Sequence, residues 1–508
     1  MSTNGADSTR NVADLLRANA RERPDAEALV DLADGRRWTH AELERDVAAL
    51  VAGLASRGVQ AGDVVAILAL NSAPYVQALL ALSALGAIAA PLNVRLQSDE
   101  LAYNLGLADP KLVIADAELV ERLGDERREV LPVRGERDSV EGLIAAHRGA
   151  RPEVRPVRDE DPQRILFTSG TTSRPKGVTL THGNVRCNFG TQIRELELTA
   201  DDRLLICLPL FHVAGSDGPG LAVLAAGGAL VVSPSADGRT VCRAVDAERI
   251  TGSILAASTA EALAEAAETG ATKAADLRFL VFGGLPASIF HRIHAALPHV
   301  RLVEAMGMTE TTSGIFYVER ERMVEKRHTV GRPVAEVEIR IVDDQGADVP
   351  RGELGELIVR GPKVTPGYWR DEEATAAAIR DGWLHSGDMV TMDDDGYVTI
   401  VDRKKDMIRS GGENVASAEV ERVLLEHPAV AEVGVVGAPD ERWGEVPHAV
   451  VVLRSQVSEQ ELREHCLARL AKFKVPARIH FVRELPRTAS GKVRKPVLRE
   501  WVKEGVPE

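Results

Sequence analysis

Short, wholly apolar runs alternate along this chain with longer amphipathic segments. Val64–Leu70 (VVAILAL) is apolar at every position, the pattern of a strand covered on both faces. Ser72 and Pro74 then open a helix that runs towards Gly86, because proline is tolerated in a first helical turn and glycine commonly ends the last. Similar runs at Leu112–Ala115, Leu204–Leu208, Ala229–Val232, Ser253–Ala257 and Phe279–Phe282 predict further buried strands, and Thr259–Thr269 predicts a helix among them. Strand–helix alternation of this kind predicts an α/β fold of stacked, mainly parallel sheets.

The texture changes after Gly331. The segments VEIRIVDD, GELIVRG and GYVTIVDR alternate apolar and polar residues between Asp/Gly turns, which predicts a compact antiparallel β subdomain. A second change follows near Asp402. The polar stretch Arg403–Ser410 leads into Gly411 and Gly412, after which Ser417–Glu426 reads as a helix and Val430–Val436 and Ala449–Leu453 as strands. Ser458 is placed to cap a further helix with Glu461 as its capping-box partner, and Leu462, Cys466 and Leu470 share one face of it. The expected organisation is a large N-terminal domain at residues 1–402, made of stacked α/β sheets plus the β subdomain, and a small α+β C-terminal domain at 403–508.

Composition adds exclusions. Hydrophobic residues make up 44% and charged residues 27% of the 508, the balance of a soluble globular protein. The formal net charge of −14 disfavours nucleic acid and anionic lipid as bulk partners, so an anionic ligand has to be met by local donors. Cys187, Cys207, Cys242 and Cys466 are scattered without metal-site spacing, and they read as reduced thiols. The N-terminal residues lack a basic region followed by an apolar run, so no secretory signal is expected. The longest apolar stretches are too short or too glycine-rich to span a bilayer, which leads us to expect a cytoplasmic protein.

Candidate chemistry begins at FTSGTTSRPKG (Phe167–Gly177), where a strand runs into hydroxyls, glycines and Lys176. Backbone N–H groups in such a loop can converge on an anion, yet the stretch does not match a standard P-loop, and composition leaves a phosphate cradle and a polar surface turn equally open. GMTETTS (Gly307–Ser313) places Thr309 and Glu310 at a strand end, where α/β sheets hold ligands and where a carboxylate suits Mg²⁺; a helix cap is the plainer reading. Asp388 in WLHSGD has the form of a ribose-hydroxyl acceptor or of a turn cap, and DRKKDMIRSGGEN (Asp402–Asn414) has the form of a solvated linker. Lys492 follows Ser490 and Gly491 in a loop near the C-terminus.

Taken together and in order, WTHAEL (Trp38–Leu43), TSGTTSRPKG, GMTE, GELIVRGP, GWLHSGD, DRKKDMI, GGENV and PRTASGKVRK resemble the adenylate-forming superfamily, and within it the AMP-forming acid–CoA ligases. The resemblance spans nearly the whole chain. It implies ATP-dependent activation of a carboxylic acid to an acyl-adenylate with release of pyrophosphate, then transfer to the thiol of coenzyme A. It further implies that Thr168, Ser169, Gly170, Thr171, Thr172 and Lys176 hold the β- and γ-phosphates, that Thr309 meets the α-phosphate, and that Glu310 with Thr172 holds Mg²⁺. Asp388 is implied to bind the ribose with Arg403 nearby, while Gly283, Gly284, Met306 and Gly307 line the adenine and acyl pockets and His212 gates the carboxylate site. Lys492 is implied to bridge carboxylate and α-phosphate, and Lys405 to be the hinge on which a mobile C-terminal domain turns. Gly411, Gly412 and Glu413 are implied to face the thiol, while Lys472, Lys474 and Arg442 suit either coenzyme A phosphates or a solvated face.

Three positions depart from the commonest pattern of that superfamily. Ser173 stands where glycine is usual, Met306 where an aromatic residue stacks on adenine, and Ala416 where Tyr or Ser is frequent. Met306 weakens stacking without changing which nucleotide fits. Asp217, within the loop Leu208–Gly220, suits either an amine or hydroxyl on the substrate or a turn cap. An aromatic content of 4% does not identify an aryl substrate. Alternative acceptors are a carrier-protein thiol or an amine, with activation of a small oxyacid such as nitrite as a variant. A catalytically silent scaffold is disfavoured by intact Lys176, Glu310, Asp388, Arg403 and Lys492.

Overall fold

The computed structural model describes residues 11–124, 128–168, 175–487 and 492–507. Among these residues the strands form four sheets. A six-stranded sheet runs, edge to edge, through Glu129–Pro132, Leu112–Ala115, Val64–Leu68, Ile88–Pro91, Pro162–Thr168 and Lys176–Thr181. Its neighbours are parallel except for the last pair, which is antiparallel. A nine-stranded sheet orders Arg332–Pro333, Ser313–Tyr317, Arg301–Met308, Phe279–Phe282, Gly252–Ile254, Arg203–Ile206, Ala229–Val232, Glu27–Asp31 and Arg37–Thr39, parallel in its interior and antiparallel at both ends. The continuous apolar runs therefore supply interior strands, as burial on both faces requires.

The remaining sheets are smaller. One holds Glu338–Val342, Gly355–Arg360, Trp383–Met392 and Ile379–Arg380, with Val398–Arg403 antiparallel to Trp383–Met392. The other orders Glu413–Val415, Ile408–Ser410, Gly444–Leu453 and Val430–Asp440, with Arg478–Val482 parallel to Gly444–Leu453. The chain divides into two compact units. The first takes the residues up to Thr168, Pro175–Glu338 and Arg360–Leu384; the second takes Ile339–Val359 and the chain from His385 onward.

Most expected elements form with shifted ends. The apolar run Ser253–Ala257 is a strand only to Ile254, because Ala256 becomes the N-cap of helix Ala257–Glu268. The strand expected at Val430–Val436 continues to Asp440, since it pairs along its length with Gly444–Leu453 and closes as a hairpin whose Asp440 Oδ1 accepts from the N–H groups of Arg442 and Trp443, at 2.9 Å each. Helix Ala73–Leu85 is buried all round and ends at Gly86, whose φ of +71° is the left-handed conformation that glycine takes without steric cost. In the second unit Leu462, Cys466 and Leu470 do face inward, where they pack with Ile408, Val420, Leu424 and Val451. No described helix is long and apolar enough to cross a membrane, and the four cysteines are free thiols.

Helix His182–Glu195 departs from the amphipathic rule. Thr181 and Asn184 form its capping box, but its buried face carries Asn184, Asn188 and Gln192 at four-residue intervals beside Val185 and Phe189. Ionisable groups are also drawn inward in the first unit. Arg164 Nη1 donates to Asp217 Oδ2 at 2.9 Å, Nη2 lies 2.9 Å from Oδ1, and their side chains are 4% and 0% exposed. Ser216 Oγ donates to the same Oδ2 at 2.7 Å. The Asp217 carboxylate is thus committed to an internal ion pair rather than to a substrate amine. Glu304, on strand Arg301–Met308, accepts from the backbone N–H groups of Gly284 and Leu285. Burial pushes its carboxyl up to about 7, against the downward pull of those two N–H groups.

These ionisable groups generate two predictions. Arg164→Met leaves Asp217 buried without its partner and is expected to cost about 3–5 kcal/mol, read as a fall in the urea midpoint of unfolding. Glu304 titrates near 7 in the folded chain instead of at its ordinary 4.5, so the unfolded state ionises first. Its contribution is greatest at low pH and is lost as pH rises from about 4.5 to about 7, at about 1.4 kcal/mol per pH unit. Glu304→Gln is expected to remove that decline, so that the melting temperature of the variant gains on the parent between pH 5 and pH 7 and the gap is constant above. A gap that does not change with pH contradicts it.

Candidate active site

Strand Arg301–Met308 ends in a tight turn, Thr309–Thr311, and returns as Ser313–Tyr317. Thr312 and Ser313 hold φ values of +50° and +74°, a region that residues with side chains rarely occupy. Gly307 is required by the return: a Cβ there would lie 1.9 Å from the Ser313 carbonyl oxygen. Within the turn, Thr311 Oγ1 accepts from the Met308 N–H at 3.0 Å, and the Thr312 N–H donates to the Thr309 carbonyl at 3.1 Å. Thr309 is buried and Glu310 half-buried.

The segment following Arg360 packs against this turn. The Thr365 N–H donates to the Glu310 carbonyl at 2.8 Å, and Tyr368 Oη donates to Glu310 Oε1 at 3.0 Å. Lys176 Nζ sits 4.8 Å from the centroid of the Tyr368 ring, within cation–π range. Thr168 is the register partner of Lys176 across two antiparallel strands, and strand Lys176–Thr181 packs on Thr309–Thr311. Lys176 and Glu310, chosen from the sequence, therefore meet at Tyr368, which sequence reasoning missed, with Thr168 across the strand pair from Lys176 and Thr309 next to Glu310 in the chain. Ser169, Gly170, Thr171 and Thr172 lie outside the described residues, as does Ser173.

Beneath the turn lies a buried amine that sequence reasoning also missed. Lys363 is 0% exposed. Its Nζ donates to Asn188 Oδ1 at 2.5 Å and reaches the Thr312 carbonyl at 3.4 Å, while Thr312 Oγ1 donates to the Lys363 carbonyl at 2.8 Å. Asn184 Nδ2 donates to the carbonyls on either side, Pro362 at 2.8 Å and Val364 at 3.0 Å. Burial pushes the amine down to about 8. The polar face of helix His182–Glu195 was the available signal, because a four-residue spacing of amides places them on one stripe.

Gly283 and Gly284 follow strand Phe279–Phe282 and neighbour the strand that carries Glu304, Met306 and Gly307. A Cβ on Gly284 would meet nothing within 4 Å, and one on Gly283 only the Ala305 carbonyl at 3.8 Å, so the space beside both backbones is open. His212 is exposed and caps helix Val213–Ser216, its Nδ1 accepting from the Ala214 N–H at 3.2 Å. That bond puts the proton of the neutral ring on Nε2. Asn71 fixes the approach to His212 by bonding the Leu208 carbonyl and the Leu210 N–H, both at 2.8 Å.

In the second unit Asp388 and Arg403 are register partners on adjacent strands, and Arg403 Nε lies 2.8 Å from Asp388 Oδ1. Arg403 Nη1 also donates to the Ser386 carbonyl at 3.2 Å, and the Asp388 N–H to Ser386 Oγ at 3.0 Å. Burial lowers the Lys405 amine, whose backbone carbonyl accepts from Arg499 Nη2 at 2.9 Å. Gly411, Gly412 and Glu413 are exposed. Gly411 has φ of +62° and faces Trp443, whose ring a Cβ would approach to 2.7 Å. Lys492 is exposed ahead of helix Lys495–Glu504. Lys474 is paired with Glu419 at 2.7 Å, and Arg442 lies over Trp443 at 4.7 Å.

This donor set fits a hard cation shared with phosphate. Glu310 offers carboxylate oxygen beside a lysine and a phenol, and the described residues contain no group of three or more His, Cys, Asp or Glu able to hold a metal alone. Mg²⁺ characteristically takes one or two carboxylates and completes its shell with phosphate and water.

The chain matches the AMP-binding enzyme family over residues 16–369 and the AMP-binding enzyme C-terminal domain over residues 419–492. It is 39% identical over 470 residues to a feruloyl-CoA synthase of an Amycolatopsis species, covering 92% of this chain and 94% of that protein. It is 37% identical over 481 residues to an indoleacetate–CoA ligase of Aromatoleum aromaticum, again covering 92% and 94%. The solved o-succinylbenzoate CoA synthetase of Bacillus subtilis, in complex with its acyl-adenylate intermediate, superposes with a TM-score of 0.86 at 32% identity over 97% of this chain and 98% of that one. The same synthetase has also been solved with ATP and magnesium ion, at a TM-score of 0.85 and 32% identity over 96% and 99%. Matched by both domains along nearly its full length, this chain belongs to the AMP-binding enzyme family, as one of its acid–CoA ligases.

Proposed function

We propose that this acid–CoA ligase activates an aromatic carboxylic acid, using ATP, Mg²⁺ and coenzyme A, and that the residues described above divide its two half-reactions between them. In the first, a carboxylate oxygen attacks the α-phosphorus of ATP, the bond to the bridging oxygen breaks, and pyrophosphate leaves with the electron pair. In the second, the thiol gives up its proton, sulfur attacks the acyl carbon, and AMP leaves.

Two anions have to meet in the first step, so it depends on oriented donors and positive charge. Lys176, with Thr168, Ser169, Gly170, Thr171 and Thr172, receives the β- and γ-phosphates. Thr309 donates to the α-phosphate. Glu310, oriented by Tyr368, and Thr172 hold Mg²⁺, which when bound neutralises phosphate charge. Asp388 accepts the ribose hydroxyls with one oxygen steadied by Arg403, and Lys492 brings an ammonium charge to the carboxylate and α-phosphate. His212 gates the acid, and Gly283, Gly284, Met306 and Gly307 line the space for planar rings. We assign residues 1–402 to the adenylation domain and 403–508 to the C-terminal domain, with Lys405 as hinge and Gly411, Gly412 and Glu413 towards the thiol. A cytoplasmic setting belongs to the same proposal, and four free thiols support it.

The observation that carries the acid class is the similarity over more than nine-tenths of the chain to ligases named for feruloyl and indoleacetate groups, each a carboxylate attached to a ring system. The test is pyrophosphate exchange with hydroxycinnamic, arylacetic and benzoic acids set against straight-chain fatty acids, with and without coenzyme A. Exchange with an aromatic acid, followed by AMP release and consumption of coenzyme A, is expected. Exchange confined to aliphatic acids overturns the acid class, and exchange without consumption of coenzyme A points to a carrier-protein thiol or an amine as acceptor. Lys492→Ala is expected to slow adenylate formation by about 10²–10³-fold while ATP still binds.

A further inference from the structure

We propose that Lys363 is a positioning residue for adenylation: seated on the amide ladder Asn184, Asn188 and Gln192, it holds the strained Thr309–Ser313 turn in the shape that presents Thr309 and Glu310. The inference rests on the roles given above to those two residues, and the experiment below separates its failure from theirs.

The geometry points to a strut. A residue with φ of +50° followed by one at +74° relaxes unless neighbours hold it. Here the Thr312 carbonyl faces Lys363 Nζ at 3.4 Å, and Thr312 Oγ1 returns a bond to the Lys363 carbonyl at 2.8 Å, so the turn and the lysine are tied twice. The lysine is itself fixed. Asn184 bonds the carbonyls that flank it, and Asn188 Oδ1 accepts its Nζ. Asn188 is anchored in turn through Nδ2 to the Asp217 carbonyl at 2.7 Å, the residue whose carboxylate pairs with Arg164. Gln192 Nε2 reaches Asn188 Oδ1 at 3.3 Å, and Gln192 Oε1 accepts from Tyr317 Oη at 3.0 Å, which fixes the strand leaving the turn. The end of the turn and the strand leaving it therefore rest on one helix face. A fully buried amine needs acceptors, and this one has been given the carbonyl of a strained residue two positions after Glu310.

The test compares Lys363→Met, which keeps the alkyl length and removes the donors, with Lys363→Gln, which keeps an N–H donor. Adenylate formation is measured per titrated active site, as kcat and KM for ATP over a Mg²⁺ series. Thermal melts and conversion of added acyl-adenylate to thioester run alongside. Lys363→Met is expected to lower the per-site rate by about 10- to 100-fold and to raise the half-saturating Mg²⁺ concentration. Lys363→Gln is expected to recover part of both, and thioester formation from added adenylate to be preserved. In a Lys363→Met/Glu310→Gln double variant the losses should fall well short of additive, because the lysine acts through the turn. A purely structural lysine would lower the melting temperature and the number of active sites but leave per-site kcat, KM and Mg²⁺ dependence unchanged, and that result overturns the proposal. Asn184→Ala, which loosens the carbonyls beside Lys363 from outside, serves where Lys363→Met does not fold: the same kinetic signature supports the proposal and wild-type per-site kinetics overturn it. If Glu310→Gln alone leaves adenylation and Mg²⁺ dependence intact, the role given to Glu310 falls and the positioning proposal falls with it. An impaired Glu310→Gln beside a kinetically normal Lys363→Met overturns only the latter.

Discussion

Two consecutive side-chain-bearing residues in the left-handed region, Thr312 and Ser313, are the constraint around which the first unit is arranged. Each such residue costs on the order of 1–3 kcal/mol, and the cost is met only where surrounding bonds over-determine the conformation. The over-determination is visible. Gly307 admits the returning strand at a distance no other residue tolerates, Thr365 and Tyr368 hold Glu310 from one side, and Lys363 holds Thr312 from below. The helix that backs this arrangement gives up apolar contact on part of its inner face to amides that the turn requires. A helix selected for stability alone would carry leucine or valine there.

The acidity of the chain makes the local cations matter. At a formal charge of −14 the protein as a whole repels ATP and a carboxylate alike, so attraction has to come from groups within a few ångströms. Lys176 meets this requirement over the Tyr368 ring rather than in an ion pair with Glu310, which leaves its charge without a carboxylate partner among the described residues. Glu310 in turn takes its hydrogen bond from a phenol. A Lys–Glu salt bridge at this place would neutralise the two groups that a metal–phosphate ligand needs separately. In the second unit the opposite solution is used: Arg403 does pair with Asp388, occupying one carboxylate oxygen and orienting the other.

Motif order made the family legible in the sequence, helped by apolar strands, the strongest local signal in an α/β chain, which lead into two of the motifs at Thr168 and Met308. Thr168, Lys176, Glu310, Asp388 and Arg403 could be picked for that reason. Lys363 and Tyr368 could not, since GPKVTPGYW reads locally as an irregular Gly/Pro connection and its role depends on a helix more than 160 residues earlier in the chain, as the Asn184–Pro362 bond shows with its separation of 178. Strand ends were also misjudged where a partner decides them: Val430–Asp440 runs on because the opposite strand offers bonds, and Ile254 ends early because Ala256 caps a helix. Asp217 has the form of a substrate contact in sequence and is an internal counter-ion in the fold, a choice set by Arg164 from a distant strand.

The charged run Arg403–Asp406 has the composition of a solvated linker, yet the second unit binds it at both ends. Asp402 Oδ2 accepts from Ser417 N at 2.5 Å and Ser417 Oγ at 2.6 Å, Lys404 pairs with Asp344 and Glu356 at 2.9 Å each, and Arg499 bonds the Lys405 carbonyl together with Asp406. Helix Lys495–Glu504 is tied a second time, through Lys495 to Glu421 at 2.8 Å. A hinge at Lys405 would therefore act against a defined set of bonds rather than as free coil. Rotation about its backbone would turn the carbonyl that Arg499 holds, so the helix either follows or releases it. Because that helix begins three residues after Lys492, a change at residue 405 would reach the lysine through a short, bonded path. On the proposal that Lys405 is a hinge, the position of the Lys492 ammonium would then be set by the conformation of a single peptide unit.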